Sequence, residues 1–388
     1  MSTRPRALVV AILGATQTLS WGSSYYLPAI LAAPIAAELG LSRAAVFAMF
    51  SGSLLLTAFL GPAAGRAIDR RGGRDVLALS NLVFIAGLLL MAFANGPVLL
   101  AAAWAILGVA MAMGLYDAAF ATLAGLYGKE ARNAITGITL IAGFASTVGW
   151  PTSALLEAEF GWRGACVGWA LLHLLVALPL NLLLPRTPPP APKAAATHAE
   201  APPDTAAQRR AMILLAFMLA ATGFTSSAIG AHLPGLLQAA GVTVAGAIAA
   251  SALLGPAQVG ARILEFGLLR KIHPMASARI AAAAHPVAVA VLLAFGAPAA
   301  AAFVLLHGGG NGLVTIARGT LPLALFGPAG YGPRQGIITA PARASSALAP
   351  FGFGLLMDWA GVGALWLTAV LGVLALASLL LLKPPRPE

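Results

Sequence analysis

Four ionisable side chains, Asp117, Arg262, Arg318 and Arg343, stand inside long apolar stretches of a chain in which only 9% of residues are charged. A charge in hydrocarbon costs several kcal/mol unless it meets a partner or a wet cavity, so such residues mark functional sites by default. Three arginines against one aspartate favour an anion. A planar guanidinium grips a carboxylate or similar oxyanion through two parallel hydrogen bonds, and it stays charged when desolvated, which a lysine does not. Arg262 is the foremost candidate for that contact. Arg318 and Arg343 either join it or pair with Asp117 and helix-end carbonyls. Asp117 has two readings, a proton carrier or a permanent ion-pair partner, because burial and a neighbouring arginine push its protonation in opposite directions. Uncharged polar residues on the same stretches complete the candidate site: Gln258, four residues before Arg262; Asn311 near Arg318; Tyr116 beside Asp117; and Gln17 and Trp21 in the polar, aromatic run from Gln17 to Tyr26.

These residues need elements that hold them. Hydrophobic residues make up 60% of the chain, whereas an ordinary soluble protein has about a quarter of its residues charged. A bilayer core about 30 Å thick takes about 20 apolar residues per helix, and runs of that length recur over 7–33, 44–66, 75–94, 98–126, 133–156, 163–184, 211–237, 243–269, 275–295, 299–326, 334–357 and 363–382. The expected fold is therefore an all-α membrane protein of twelve transmembrane helices, the first of them uncleaved. The Pro- and Ala-rich stretch 186–210 reads as a linker between six-helix bundles at 1–185 and 211–388. The halves echo each other: Leu60-Gly61-Pro62-Ala63 recurs as Leu254-Gly255-Pro256-Ala257, and Pro151 and Glu159 are matched by Pro350 and Asp358. Two pseudo-symmetric bundles are the arrangement of a transporter built from repeats.

The net charge of +11 could suggest a nucleic-acid partner, and the positions of the charges argue against one. With a cytoplasmic N-terminus, outer loops hold only Arg43 and Arg163, and three arginines lie within spans. The other 18 of the 23 Lys and Arg fall on the inner side. That asymmetry reports orientation, both termini cytoplasmic in an inner membrane. A lone Cys166 excludes an intramolecular disulfide or a cysteine metal cluster, and no histidine spacing suggests a metal. The histidines on the spans read as packing residues. With no nucleophile, base and orienter in register, neither an enzyme nor a cofactor is expected.

Six charges crowd into residues 66–75. Gly65-Arg66-Ala67-Ile68-Asp69-Arg70-Arg71-Gly72-Gly73-Arg74 resembles the signature between helices 2 and 3 of the major facilitator superfamily, G-x-x-x-D-R-x-G-R-R/K, departing from it at Gly73, where a basic residue is usual. A finer resemblance is to the monocarboxylate and oxalate/formate branch: Tyr127-Gly128-Lys129-Glu130-Ala131-Arg132 running to Gly137, Phe160-Gly161-Trp162-Arg163, Ala349-Pro350 running to Asp358, and Val259-Gly260-Ala261-Arg262 at the place of that branch's substrate-binding arginine.

The resemblance implies that helices 1, 4, 7 and 10 line a cavity, that helices 2, 5, 8 and 11 border it, and that the four charges avoid the lipid-facing helices. It implies a gating role for Gly65, Asp69, Arg70, Gly72 and Arg74. That branch carries an aspartate four residues before its arginine, used in proton coupling. Here the position is Gln258, which leaves Asp117 or an anion exchange that needs no proton. The expected function is a monomeric carrier in the lipid bilayer that moves a small organic anion with protons or a counter-anion. The alternative is efflux of drugs or of a neutral or metalloid species such as arsenite, with structural arginines.

Overall fold

A computed structural model describes residues 5–128, 131–186, 205–267, 274–326 and 331–382. Most of the linker and the basic residues Arg4, Lys129, Lys193, Arg270, Lys271, Lys383 and Arg386 lie outside the described residues. The chain divides into two compact units, Met1–Ala194 and Ala195–Glu388.

The first unit holds α1 (Arg6–Gly22), α2 (Pro28–Leu39), α3 (Arg43–Arg71), α4 (Gly73–Ala92), α5 (Pro97–Gly114), α6 (Tyr116–Tyr127), α7 (Ala131–Ile141), α8 (Ala145–Leu172) and α9 (Leu178–Leu182). The second holds α10 (Ala206–Ala239), α11 (Val244–Ala252), α12 (Leu254–Gly267), α13 (Pro274–Phe295), α14 (Ala300–Phe326), α15 (Tyr331–Ala360) and α16 (Leu365–Leu381). Among the described residues nine helical stretches are long and apolar enough to cross a membrane, and two of them, Asn133–Leu182 with 50 residues and Ile337–Leu381 with 45, have the length of two passes each. With the first expected pass, which runs over α1 and into α2, they account for the twelve expected passes. Phe59, Trp359 and Trp366 are largely exposed, as apolar side chains are where hydrocarbon is the solvent.

Three expected spans are broken rather than continuous. The first stops at Ser23, and Pro28 opens α2 at a position where its missing N–H has no helical partner to lose. The fourth is cut at Leu115, which is extended (φ −88°, ψ −169°) between α5 and α6. The eighth is cut at Leu253, three residues ahead of Pro256, whose ring nitrogen cannot donate to the Ala252 carbonyl. The fifth and sixth spans meet inside α8 at Gly161, whose φ of 66° few other residues tolerate, and so the chain turns there. The linker ends earlier than expected, because Thr205 and Gln208 form a capping box that starts α10 at Ala206.

Each unit has its own core. In the first, Val9 and Leu13 of α1 meet Leu77 of α4, Leu123 of α6 and Ile138 of α7. In the second, Leu219 of α10 meets Leu321 of α14, Ile338 of α15 and Leu379 of α16.

Candidate functional site

In the second unit the site is built by glycines. α14 carries His307-Gly308-Gly309-Gly310-Asn311-Gly312, and a Cβ on Gly312 would stand 2.5 Å from the Gln258 carbonyl oxygen of α12. On the neighbouring face a Cβ on Gly310 would stand 2.9 Å from the Ala281 carbonyl oxygen of α13. Only hydrogen fits at either position, so α14 lies against α12 and α13 at backbone contact. That approach rests Gly312, the residue after Asn311, on the turn of α12 that carries Gln258 and Arg262, both buried at 8% and 9% exposure. From α10, the Ser226 hydroxyl donates to Asn311 Oδ1 at 2.9 Å. α10 is tied to α15 as well: Ser227 donates to the Ser346 carbonyl at 2.6 Å, and Ser345 to the Ala220 carbonyl at 3.0 Å.

The four intramembrane charges do not share one environment. Arg262 is buried, whereas Asp117, Arg318 and Arg343 are exposed, on faces of α6, α14 and α15 that no neighbouring helix covers. An uncovered face lets a charge keep its hydration wherever that face borders water, and only Arg262 gives its hydration up. Asp117 lies in the first turn of α6, where the helix dipole favours a negative charge.

The first unit presents an aromatic face. Gln17 Nε2 donates to the Gly114 carbonyl at 2.6 Å, capping the backbone that the break at Leu115 frees from its ladder. One turn along α1, the Trp21 ring lies 5.1 Å from Tyr116 and 5.1 Å from Tyr25, and Tyr116 stacks on Phe120 at 5.2 Å. Gln17 Oε1 and Trp21 Nε1 are buried with no hydrogen-bond partner. Gln17, Trp21 and Tyr116 are thus brought together, and they hold one spare acceptor and one spare donor.

The charged motif is helical rather than a loop. α3 runs on through Arg71, past the expected end of the second span, because nothing in Gly65–Arg71 breaks a helix. Gly72 alone makes the turn (φ 84°, ψ 150°), and α4 begins at Gly73. Asp69 and Arg70 are exposed, Gly65 and Arg74 half-buried. The departure at Gly73 has a physical cause: a Cβ there would collide with the Thr122 side chain of α6, so a basic residue has no room.

One polar cluster, at Glu38, escaped the sequence reading, and the histidines read as packing residues show two different kinds of bonding. At the far end of the first unit, Glu38 accepts from Trp162 Nε1 and pairs with Arg163 at 2.8 Å, while Arg163 Nη1 donates to the Ala92 carbonyl and its guanidinium stacks on Trp162 at 4.2 Å. The Trp162 N–H first, and Arg163 second, hold the Glu38 carboxyl below the usual carboxylate value. His173 is bonded on both ring nitrogens, and His285 and His307 bond to each other. The four glycines between His307 and Leu313 were the available signal for the last pair, since they mark where α14 is closely approached.

The sequence profile described as Major Facilitator Superfamily matches residues 12–317. An uncharacterized 38 kDa protein of a 23S RNA operon in Thermoproteus tenax is 33% identical over 156 residues, an alignment that spans 40% of each chain. The fold is similar to a bacterial homolog of the human lysosomal transporter Spinster in its inward-facing, unoccupied conformation (TM-score 0.72, 18% identity, 98% of this chain and 95% of that one). It is also similar to the nucleoside transporter NupG (TM-score 0.78, 14% identity, 98% of this chain and all of that one).

Proposed function

Because the chain belongs to the major facilitator superfamily, we propose that this secondary transporter carries a small organic anion, a carboxylate foremost, across the inner membrane with Arg262 as the anion-gripping group. The observation that carries the reading is the burial of Arg262 one turn from Gln258, on the helix that α14 meets at Gly312. A guanidinium stripped of bulk water, one helical turn from an amide side chain, suits a planar oxyanion. The resemblance of Val259–Arg262 and Phe160–Arg163 to the monocarboxylate and oxalate/formate branch supports a carboxylate. Gln258 and Asn311 orient the anion, Arg318 and Arg343 attract it from exposed positions, and Gln17, Trp21 and Tyr116 contact its apolar part.

Asp117 or a counter-anion drives the cycle. Gly65, Asp69, Arg70, Gly72 and Arg74 form the gate on the cytoplasmic side, where both termini lie, and the carrier works as a monomer. A second reading, efflux of a drug-like or neutral solute, is favoured by the uncharged aromatic face around Trp21.

The test is uptake of a panel of labelled carboxylates into proteoliposomes. Arg262→Lys and Arg262→Ala are expected to reduce uptake about ten- to a hundredfold, the scale of a lost charge-assisted pair of bonds. Carboxylate uptake equal to the parent's in both variants, with a neutral solute still exported, sinks the anion reading.

A further inference from the structure

The second unit holds a half-open pocket of about 30 Å³ in which Thr222, Thr225 and Ser226 of α10, His285 of α13, and His307 and Asn311 of α14 stand among mostly apolar neighbours. That is room for about one or two waters. Across its wall the two histidine rings meet through their Nδ1 atoms at 2.9 Å. At that distance one Nδ1 carries a hydrogen and donates, and the other offers its lone pair. Two neutral tautomeric arrangements satisfy this. If His285 donates, its Nε2 is an open acceptor; if His307 donates, the Nε2 of His285 carries a hydrogen and is an open donor. Either way His285, 6% exposed, leaves its Nε2 buried and without a partner, and Thr225, 5% exposed, does the same with its hydroxyl. Two unmet polar atoms on residues that line a pocket of water size give an entering water partners to bond.

We propose that His285 and His307, together with this cavity, form a proton-binding site of the carrier. The site rests on the reading of the chain as a transporter and not on the identity of its solute. A proton delivered by cavity water bonds to the free ring-nitrogen lone pair of the donating histidine; no electrons move, and the product is one imidazole and one imidazolium sharing the hydrogen between their Nδ1 atoms. Charge from the second unit does not crowd the pair. The ionisable groups on the packed helices include Arg279 on α13, engaged with the Leu379 carbonyl of α16, Glu265 on α12, bonded to Ser277, His232 on α10, bonded to the Pro350 carbonyl, Arg262 on α12, Arg318 on α14, Arg343 and Asp358 on α15, and Arg209 and Arg210 at the start of α10. Among the described residues none of these lines the cavity.

An imidazolium buried without a counter-charge is costly, so the pair holds its added proton only while the cavity is wet. Occupancy is thereby linked to how α10, α13 and α14 pack. The link reaches the anion site through Asn311, one turn from His307: it accepts from Ser226 of α10, and the adjacent Gly312 rests on Gln258.

Full-length protein labelled with ¹⁵N-histidine, in lipid bilayers, tests the site by solid-state NMR from about pH 9 to about pH 4, the window in which histidines titrate. The expected result is one Nδ1–Nδ1 coupled pair that gains a single proton as a unit, with both rings shifting together. Thr225→Val removes the cavity hydroxyl at nearly constant shape and is expected to shift the midpoint of the pair, whereas Thr225→Ser leaves it near the parent value. Two rings that stay neutral wherever the protein remains folded, or that titrate independently, overturn the proposal. Arg262→Ala is expected to leave this titration unchanged, so loss of the anion reading and loss of the proton site are separate outcomes.

Discussion

Each unit buries histidine among its helices, and the two units treat it in opposite ways. In the first, Asn81 Nδ2 donates to the Leu77 carbonyl, which turns its Oδ1 toward His173 Nδ1 at 2.8 Å. That fixes the hydrogen of His173 on Nδ1, so its Nε2 accepts from the Ser23 hydroxyl at 2.7 Å, and Phe84 stacks on the ring at 4.7 Å. Both nitrogens are matched, and a second proton enters only by turning the Ser23 hydroxyl away to the Ser20 carbonyl. In the second unit the His285 ring spends one nitrogen on another histidine and leaves the other beside a cavity. A satisfied polar network in a membrane bundle fixes geometry. One left unsatisfied on a cavity wall is able to change state.

The comparison breaks most visibly at His173. His173→Leu strands Asn81 Oδ1 in the core and leaves the Ser23 hydroxyl only the Ser20 carbonyl, and the orphan costs about 1–3 kcal/mol. A marked fall in the thermal midpoint is expected, by calorimetry or fluorescence, with no new pH dependence in transport. His285→Gln keeps a polar side chain beside His307, and a stability change within about 1 kcal/mol is expected. The pH profile of its transport should instead shift. Equal destabilisation by both changes would erase the distinction between the units.

The smallest expected effect lies outside the buried networks, at Glu38. Because Trp162 and Arg163 hold its carboxyl below the ordinary value, its contribution is fully present above the unfolded carboxylate value and is lost as pH falls through the lower folded value. Glu38→Gln should therefore flatten the acid limb of the thermal midpoint slightly and leave neutral pH almost untouched. The pair is exposed, and solvent screens it. An acid limb as large as that of the histidine pair would contradict the contrast between buried and exposed groups.

Much of the architecture was legible in the residues. Runs of about 20 apolar residues set the passes, and the sign of the loops gave an expected orientation. The breaks at Leu115 and Leu253 were not legible, because an apolar segment hides a local turn that tertiary partners, such as Gln17 on Gly114, make tolerable. The helical charged motif was missed for the opposite reason: charge density suggests a loop, yet a helix extends beyond the membrane without penalty. At the site, residue type alone picked out Arg262, whose burial the structure adds. It did not separate Arg262 from Arg318 and Arg343, since hydropathy records that a helix is apolar and not which face its neighbours cover. The histidine pair was read as packing because its meaning depends on a 2.9 Å contact across two helices.

The central claim is that Arg262 grips an anion. The most direct measurement is the thermal midpoint of the purified parent and of Arg262→Ala against a panel of carboxylates and their methyl esters, since a ligand that binds only the folded state raises it by mass action. At least one carboxylate is expected to raise the midpoint of the parent, while its ester, and the same carboxylate on Arg262→Ala, leave it unmoved. Equal stabilisation of parent and variant by that carboxylate, or stabilisation by the ester alone, would contradict the account.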